Sequence, residues 1–503
     1  MIRDRARALS RRGYLTAGVA FALTGYAGRA LADTMPLPER RPNLPPPNGP
    51  LRWLDSGDQK AVFWKKFFDA YSKARDIKVV YDGLPFTEIA TVLPLGIRNG
   101  SAPDSFSLPR EMQPAIAVAE KWVRPYDDLI PDFAAWKAGF PAGAFVKGIN
   151  VFDGKAYGLP FTTDRRCGSL LLFGKKAMEL TEFTPGPDKS LSWDQFRTAA
   201  KQITQKSRGR IPGLIIEGSQ VYRWAENTIF LAQRAGAACG TSAAGFGIAL
   251  DYRTGEIVVD SPEFVGAVAL LLAMRDDGST FPGLLNMNAP QARALIAQGA
   301  AGMILQGPWN VPIWERTNPG FDFGVSATPA PQGKNGNTIT NTLPALYQMM
   351  FVNAAAKNPE YVAEVFRFLG TLEGQIAWAN LDGVSDPAIM PEAMERANLS
   401  PRSRQVLHIQ NEQVRLAPVP YARNAGFSTV ASVYRAPSPD LAQTVQGLFS
   451  GQLTNVKQSL TNLKDAMNKA LDKAIADANL KGAKVSRADL VFSDWDPSKD
   501  YVS

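Results

Sequence analysis

Apolar and polar positions change period several times along this chain, and each change marks an element. Residues 51–54, Leu-Arg-Trp-Leu, predict a strand, and Asp55-Ser56-Gly57-Asp58 a polar turn. Trp64, Phe67, Phe68 and Tyr71 then recur at helical spacing, before residues 77–81, Ile-Lys-Val-Val-Tyr, return to strand character. Strand, helix and strand in that order predict a βαβ unit, hence an α/β fold with a parallel sheet and helices on its faces. The alternation recurs downstream. Ser192 and Gln195 predict a capping box that opens a helix through Phe196, Ala199 and Ile203. Ser261-Pro262-Glu263 and Asn358-Pro359-Glu360 each predict an N-cap, a proline at the first helical position and an acid favoured by the helix dipole. Val362, Val365, Phe366 and Leu369 line one side of the second of these helices. Val456, Leu460, Leu463, Met467 and Leu471 repeat at threes and fours, one face of a long amphipathic helix. Such stripes are core-facing and carry no function of their own.

One apolar run ends differently. Residues 302–309, Gly-Met-Ile-Leu-Gln-Gly-Pro-Trp, predict a buried strand stopped by Gly307-Pro308, a sharp turn that aims Trp309 past the strand end. An indole in that position is either core or a flat stacking surface for a ligand.

Composition changes this picture mainly at the N-terminus. Residues 1–32 combine Arg3, Arg5, Arg7 and the pair Arg11-Arg12 with an apolar segment at 17–27 and Ala30-Leu31-Ala32. That order predicts a twin-arginine signal peptide ending near Asp33, and the apolar segment is too short to span a bilayer. Removing residues 1–32, which hold six arginines and one aspartate, lowers the formal net charge from +8 to +3. So small and dispersed a charge excludes a nucleic-acid partner. Residues 33–50, with Pro45-Pro46-Pro47, predict an extended Pro-rich linker. Cys167 and Cys239 are the only cysteines and His408 the only histidine. Imidazole triads, multi-histidine metal sites and a disulfide framework are thereby excluded, leaving at most one optional disulfide. Asp494-Trp495-Asp496 through Asp500 lacks the turn glycine and terminal glutamate of a calcium loop, so no metal and no cofactor are expected.

Several segments then carry a resemblance. These are Trp53-Leu54-Asp55-Ser56-Gly57-Asp58, Asp76-Ile77-Lys78-Val79, Ala102-Pro103-Asp104, and residues 152–160, Phe-Asp-Gly-Lys-Ala-Tyr-Gly-Leu-Pro. Residues 300–309 and Phe323-Gly324-Val325 through Pro331 complete the series. In order and spacing they resemble the extracellular (periplasmic) solute-binding proteins of carbohydrate ABC transporters, family 1, which are maltodextrin-binding-protein-like. The resemblance covers residues 51–395. It implies a periplasmic-binding-protein-like fold of two α/β lobes, with a ligand cleft and hinge crossovers. Residues 51–163 and 340–385 would form lobe 1, and 164–339 and 386–503 lobe 2. It further implies a monomer that is not an enzyme, held in the periplasm, with a carbohydrate ligand and a membrane ABC permease as partners.

A sugar offers apolar C–H faces and a rim of hydroxyls, so its site needs flat aromatics with planar polar groups. Asp55 and Asp58 follow the first strand, at the carboxyl end of a parallel sheet where ligands bind; capping is their other use. Asp164 matches a family position carrying a sugar-binding carboxylate. Arg165 and Arg166 beside it either pair with Asp164 as hinge salt bridges or meet an anionic or heavily hydroxylated ligand. Gln220, Tyr222 and Trp224 lie where the family places an aromatic in the second lobe, with Glu226 nearby. Trp309 is the principal stacking candidate, and Asn310 would bond a hydroxyl. Arg110 and Glu111 are polar candidates in a loop that departs from the maltodextrin-binding pattern by lacking its aromatic. The competing functions are binding of a sugar acid or sugar phosphate, and a secreted polysaccharide-active enzyme using paired carboxylates.

Overall fold

The strand expected at residues 51–54 forms as Leu51–Asp55 and lies inside the first of two principal sheets. The computed structural model describes residues 35–109, 112–240, 248–340 and 343–501. The signal peptide with Arg11 and Arg12, and the candidates Arg110 and Glu111, lie outside them. Both sheets, and every contact between them, belong to one unit spanning Pro36–Ser503.

The first sheet runs in the order Val79–Gly83, Leu51–Asp55, Ser105–Ser107, Met350–Asn353, Val123–Arg124, and Gly158–Leu159 also pairs with Met350–Asn353. Its first three strands are parallel, as the βαβ pattern requires. Met350–Asn353 is antiparallel to its neighbours. A parallel sheet was expected throughout; this strand reverses because it arrives from the other sheet and not through a helical crossover within its own. The second sheet, in the order Phe323–Ser326, Leu170–Gly174, Met303–Gln306, Leu214–Ile215, is likewise mixed.

Helix Lys60–Arg75 explains how the first sheet is anchored. Phe63, Trp64, Phe67, Phe68 and Tyr71 are all buried, and Trp64 lies 4.8 Å from Trp53 and 5.9 Å from Trp378 between ring centroids. Each such ring buries roughly 150–250 Å². Helix Trp193–Lys206 carries the expected capping box between Ser192 and Gln195. Helices Pro262–Asp276 and Pro359–Leu369 begin at their prolines, but neither Ser261 nor Asn358 caps with its side chain. Asn358 is used elsewhere, accepting from Asn48 N at 2.8 Å. The long helix forms over Val456–Leu480 and buries Leu460, Leu463, Met467 and Leu471. Cys167 and Cys239 are both buried and free.

Residues 36–50 differ from the expected linker. An extended proline-rich chain satisfies none of its own carbonyls, so they accept from neighbours. Pro38 O receives Arg75, Glu39 O receives Arg367 and Pro45 O receives Tyr361. The segment is thus a strap along helix Pro359–Leu369. Its centre is Glu364, fully buried, which accepts from Arg75 Nε at 2.7 Å, Tyr71 OH at 2.6 Å and Arg41 N at 3.2 Å. Burial first, and Glu364 second, push the Tyr71 phenol far above its ordinary pKa, which keeps it a donor.

Three chain segments cross between the sheets side by side. Thr163 N donates to Pro387 O at 2.8 Å, Asp164 N to Leu343 O at 3.0 Å and Ala345 N to Thr162 O at 3.0 Å. Residues 160–164 therefore run between the other two crossings, at 343–349 and 384–389.

Candidate functional site

At the carboxyl end of Leu51–Asp55 the chain turns through Gly57, whose φ is +65° and whose Cα side faces the Gly83 backbone at about 3.0 Å from any added Cβ. Asp55 builds that turn. Its carboxylate accepts from Gly57 N at 2.6 Å, Trp64 Nε1 at 2.9 Å and Tyr81 OH at 3.3 Å, and Lys60 Nζ stands 3.4 Å away. With no exposed surface and all these partners, Asp55 shapes the site and is not one of its contact groups. The expected ligand contact from Asp55 is corrected accordingly: a buried carboxylate must be satisfied internally. Asp58 is exposed at the turn. Lys60 is buried, donates to Gln348 and faces the Phe86 ring at 5.9 Å. Gln59 donates to Leu381 O at 3.0 Å and accepts from Arg316, on the helix Asn310–Thr317 that follows Trp309.

On the second sheet, strand Met303–Gln306 ends in the expected turn. A Cβ on Gly307 would lie 2.1 Å from the Trp309 ring, so only glycine lets the indole fold back over its own turn. Asn310 is buried and donates to Gly307 O at 2.9 Å. That bond locks the turn, while the Asn310 Oδ1 is buried without a hydrogen-bond partner among the described residues. Trp309 itself remains half-buried. Two guanidiniums lie over its ring, Arg223 Cζ at 5.6 Å and Arg166 Cζ at 5.8 Å from the centroid.

Both guanidiniums are paired with carboxylates. Arg223, on helix Tyr222–Arg234, donates through Nε to Glu217 at 2.6 Å, through NH1 to Glu226, and through NH2 to Leu305 O at 3.3 Å. Arg166 donates to Asp386 Oδ1 at 2.5 Å and Ser385 O at 2.7 Å, with Asp164 Oδ1 3.9 Å away. Burial alone would lower each guanidinium's pKa. Glu217 and Glu226 around Arg223, and Asp386 and Asp164 around Arg166, reverse the sign and raise both. Next to Asp386, the buried Asp382 accepts from Asp386 N at 2.6 Å. Burial, then the Asp386 charge, pushes the Asp382 carboxyl well above the ordinary carboxylate range.

The remaining candidates separate. Trp224 has no exposed surface, donates Nε1 to Gly218 O at 3.0 Å and packs on Phe449 at 4.7 Å. It is core, a correction that follows from helical geometry: two positions on from Tyr222, it faces the opposite side of the helix. Tyr222 is 46% exposed, and Gln220 donates to its hydroxyl at 3.3 Å. Arg165 turns away from Trp309 and pairs with Asp500 at 2.6 Å. Thus Asp164 and Trp309 come together with Arg166, while Asp55, Asn310 and Trp224 support the surrounding frame. Sequence reasoning did not single out Lys60, Glu217, Arg223, Asp382 or Asp386. The spacing of Arg223 and Glu226, three apart on one helix, was the available signal for one pair; Glu217–Arg223 and Asp382–Asp386 are also near in sequence but cross element ends, and Arg166–Asp386 is long-range.

The sequence pattern of the bacterial extracellular solute-binding protein family matches residues 56–376. A binding protein of Brucella abortus (strain 2308) is 26% identical over 222 residues, 44% of this chain and 48% of that one. The chain thus spans about half the length of that relative. A galactooligosaccharide-binding protein of Bacillus subtilis (strain 168) is 24% identical over 358 residues, covering 69% and 76%. Among solved structures, an ABC transporter solute-binding protein from Thermotoga lettingae bound with alpha-D-tagatose superposes with a TM-score of 0.62 at 17% identity, over 84% of this chain and 100% of that one. The Thermus thermophilus maltotriose-binding protein gives 0.59 at 18% identity, over 84% and 100%. These neighbours share the two-lobed α/β fold of periplasmic binding proteins. With the family pattern spanning all of the second sheet, every strand of the first except Leu51–Asp55, and two of the three crossings, the chain belongs to the bacterial extracellular solute-binding protein family.

Proposed function

We propose that this protein captures a neutral carbohydrate between its two lobes and delivers it to the membrane permease of an ABC importer. One observation carries the choice of ligand class: a partly exposed indole whose neighbouring guanidiniums already answer to Glu217, Glu226, Asp164 and Asp386. Two positive charges face four negative ones. An anionic sugar acid or phosphate would meet net negative charge, whereas a neutral sugar stacks on the ring and bonds its hydroxyls to the carboxylates. Relatives named for galactooligosaccharide, tagatose and maltotriose support the same class. In this reading lobe 1 comprises residues 51–163 and 340–385, lobe 2 the remainder to 503. Trp309, Asp164, Tyr222, Gln220 and Asp58 are the contact groups. The protein acts as a monomer, binds its solute with no cofactor, and performs no catalysis.

Titration calorimetry and thermal unfolding of protein lacking residues 1–32 test the ligand class. Neutral mono- and oligosaccharides should raise the apparent stability, by about 2.7 kcal/mol at a hundredfold excess over Kd, and matched sugar acids and sugar phosphates should not. Stabilisation by the anionic sugars alone would replace this reading with the acid-binding one.

Delivery to the periplasm follows, in the same reading, from the twin-arginine signal. Replacing Arg11 and Arg12 together with lysine should leave uncleaved precursor in the cytoplasm. Normal appearance of processed protein beginning near Asp33 would rule out that route.

A further inference from the structure

Arg166 is the one guanidinium over Trp309 that does not come from the second sheet's own framework. It lies just past the first crossing, and its partners Ser385 and Asp386 belong to the third. The same guanidinium therefore lies over the indole, 5.8 Å from Cζ to the ring centroid, and donates to the crossing through NH1. A guanidinium spreads its charge and donors over a fork and so reaches the ring and the crossing at once, whereas an ammonium is a single point charge.

The connection continues beyond Asp386. Its backbone N–H is held by Asp382, the last residue of helix Leu372–Asp382, and its carbonyl accepts from Trp378 Nε1 at 2.8 Å. That helix packs on helix Lys60–Arg75 of the first sheet, with Trp378 5.0 Å from Phe63 and 5.9 Å from Trp64. A single chain of contacts thus runs from Trp309 on the second sheet, through Arg166 and Asp386, to the aromatic core beneath the first. Arg223, by contrast, bonds only to groups around the second sheet and its covering helix.

We propose that Arg166 is a positioning residue that ties the Trp309 ring to the third crossing, so that a solute stacking on the ring sets the geometry of the hinge. The assignment rests on the proposed carbohydrate-binding function for its role in closure, but the tie between ring and crossing is a property of the chain itself. Lysine at 166 keeps the charge beside Asp386 and Asp164 and removes the guanidinium fork that reaches both ring and crossing. It therefore separates ring positioning from electrostatic support.

Protein labelled with 5-fluorotryptophan contains ten tryptophans, and the signals of Trp309 and Trp378 are assigned by Trp309→Phe and Trp378→Phe. Trp378 reports the third crossing through its bond to Asp386. Without any sugar, Trp309→Phe should shift the Trp378 signal when residue 166 is arginine and leave it in place in the Arg166→Lys background. A Trp378 signal that ignores Trp309→Phe with Arg166 present overturns the proposal, whatever the protein binds. With maltotriose as probe, saturation should shift both signals in the wild type. Arg166→Lys should bind about tenfold more weakly and, at saturation, shift only the Trp309 signal. Equal affinity with both signals shifted overturns the proposal. If the wild type binds neither maltotriose nor any neutral sugar of the calorimetric panel, the carbohydrate reading fails, while the sugar-free comparison still decides the tie. Arg166→Met, which keeps the aliphatic stem, should reproduce the loss of coupling should lysine at this position fail to fold.

Discussion

Glu364→Gln is expected to lower the unfolding free energy by about 3–5 kcal/mol, the range for leaving a buried charge without its partner. The stranded group is the Arg75 guanidinium, whose side chain is 6% exposed and which bonds to Glu364 through both Nε and NH2. Tyr71 and the backbone of Arg41 lose a charged acceptor in the same step. Urea unfolding at constant m would measure the loss. Double replacement by Glu364→Leu and Arg75→Met should cost less than the two single changes added together, because no charge then remains to be desolvated. A loss below about 1 kcal/mol for Glu364→Gln would mean that Arg75 finds an alternative anion or water, and that the strap at residues 36–50 is held by its other contacts.

Trp309→Ala is expected to weaken binding of the neutral sugar by about 2 kcal/mol, close to thirtyfold, as for an aromatic that desolvates one face of a ligand. The stability cost should stay below the roughly 3–5 kcal/mol typical of an enclosed tryptophan, because the ring is already partly exposed. Trp224→Ala is the contrasting variant. Its ring is fully enclosed against Phe449, so its loss should fall on folding, with the affinity of the surviving folded protein nearly unchanged. Calorimetric titration and unfolding of the two variants separate the roles. Unchanged affinity in Trp309→Ala would transfer the stacking role to Tyr222, the exposed aromatic on the same lobe.

How much of this was legible in the sequence depended on the range of the interaction. Element type follows from local periodicity, so the strand Leu51–Asp55, the helix Lys60–Arg75 and the long helix Val456–Leu480 could be read from residues a few positions apart. The Gly307-Pro308-Trp309 turn was equally local, since backbone sterics at two residues aim the third. Periodicity names an apolar face without naming what covers it. Hence Trp224 and Tyr222, two positions apart, were equal candidates until their helix was seated on the second sheet. Tertiary structure alone decided the charges around Trp309, because Arg166 and Asp386 are 220 residues apart and no spacing rule joins them. It also decided that Asp55 and the Asn310 amide nitrogen hold their turns, through partners that only the folded chain brings within reach. The reversal of strand Met350–Asn353 and the strap over Glu364 have the same origin. Direction and docking are set by where a distant segment enters the sheet or finds a donor, and local sequence records neither.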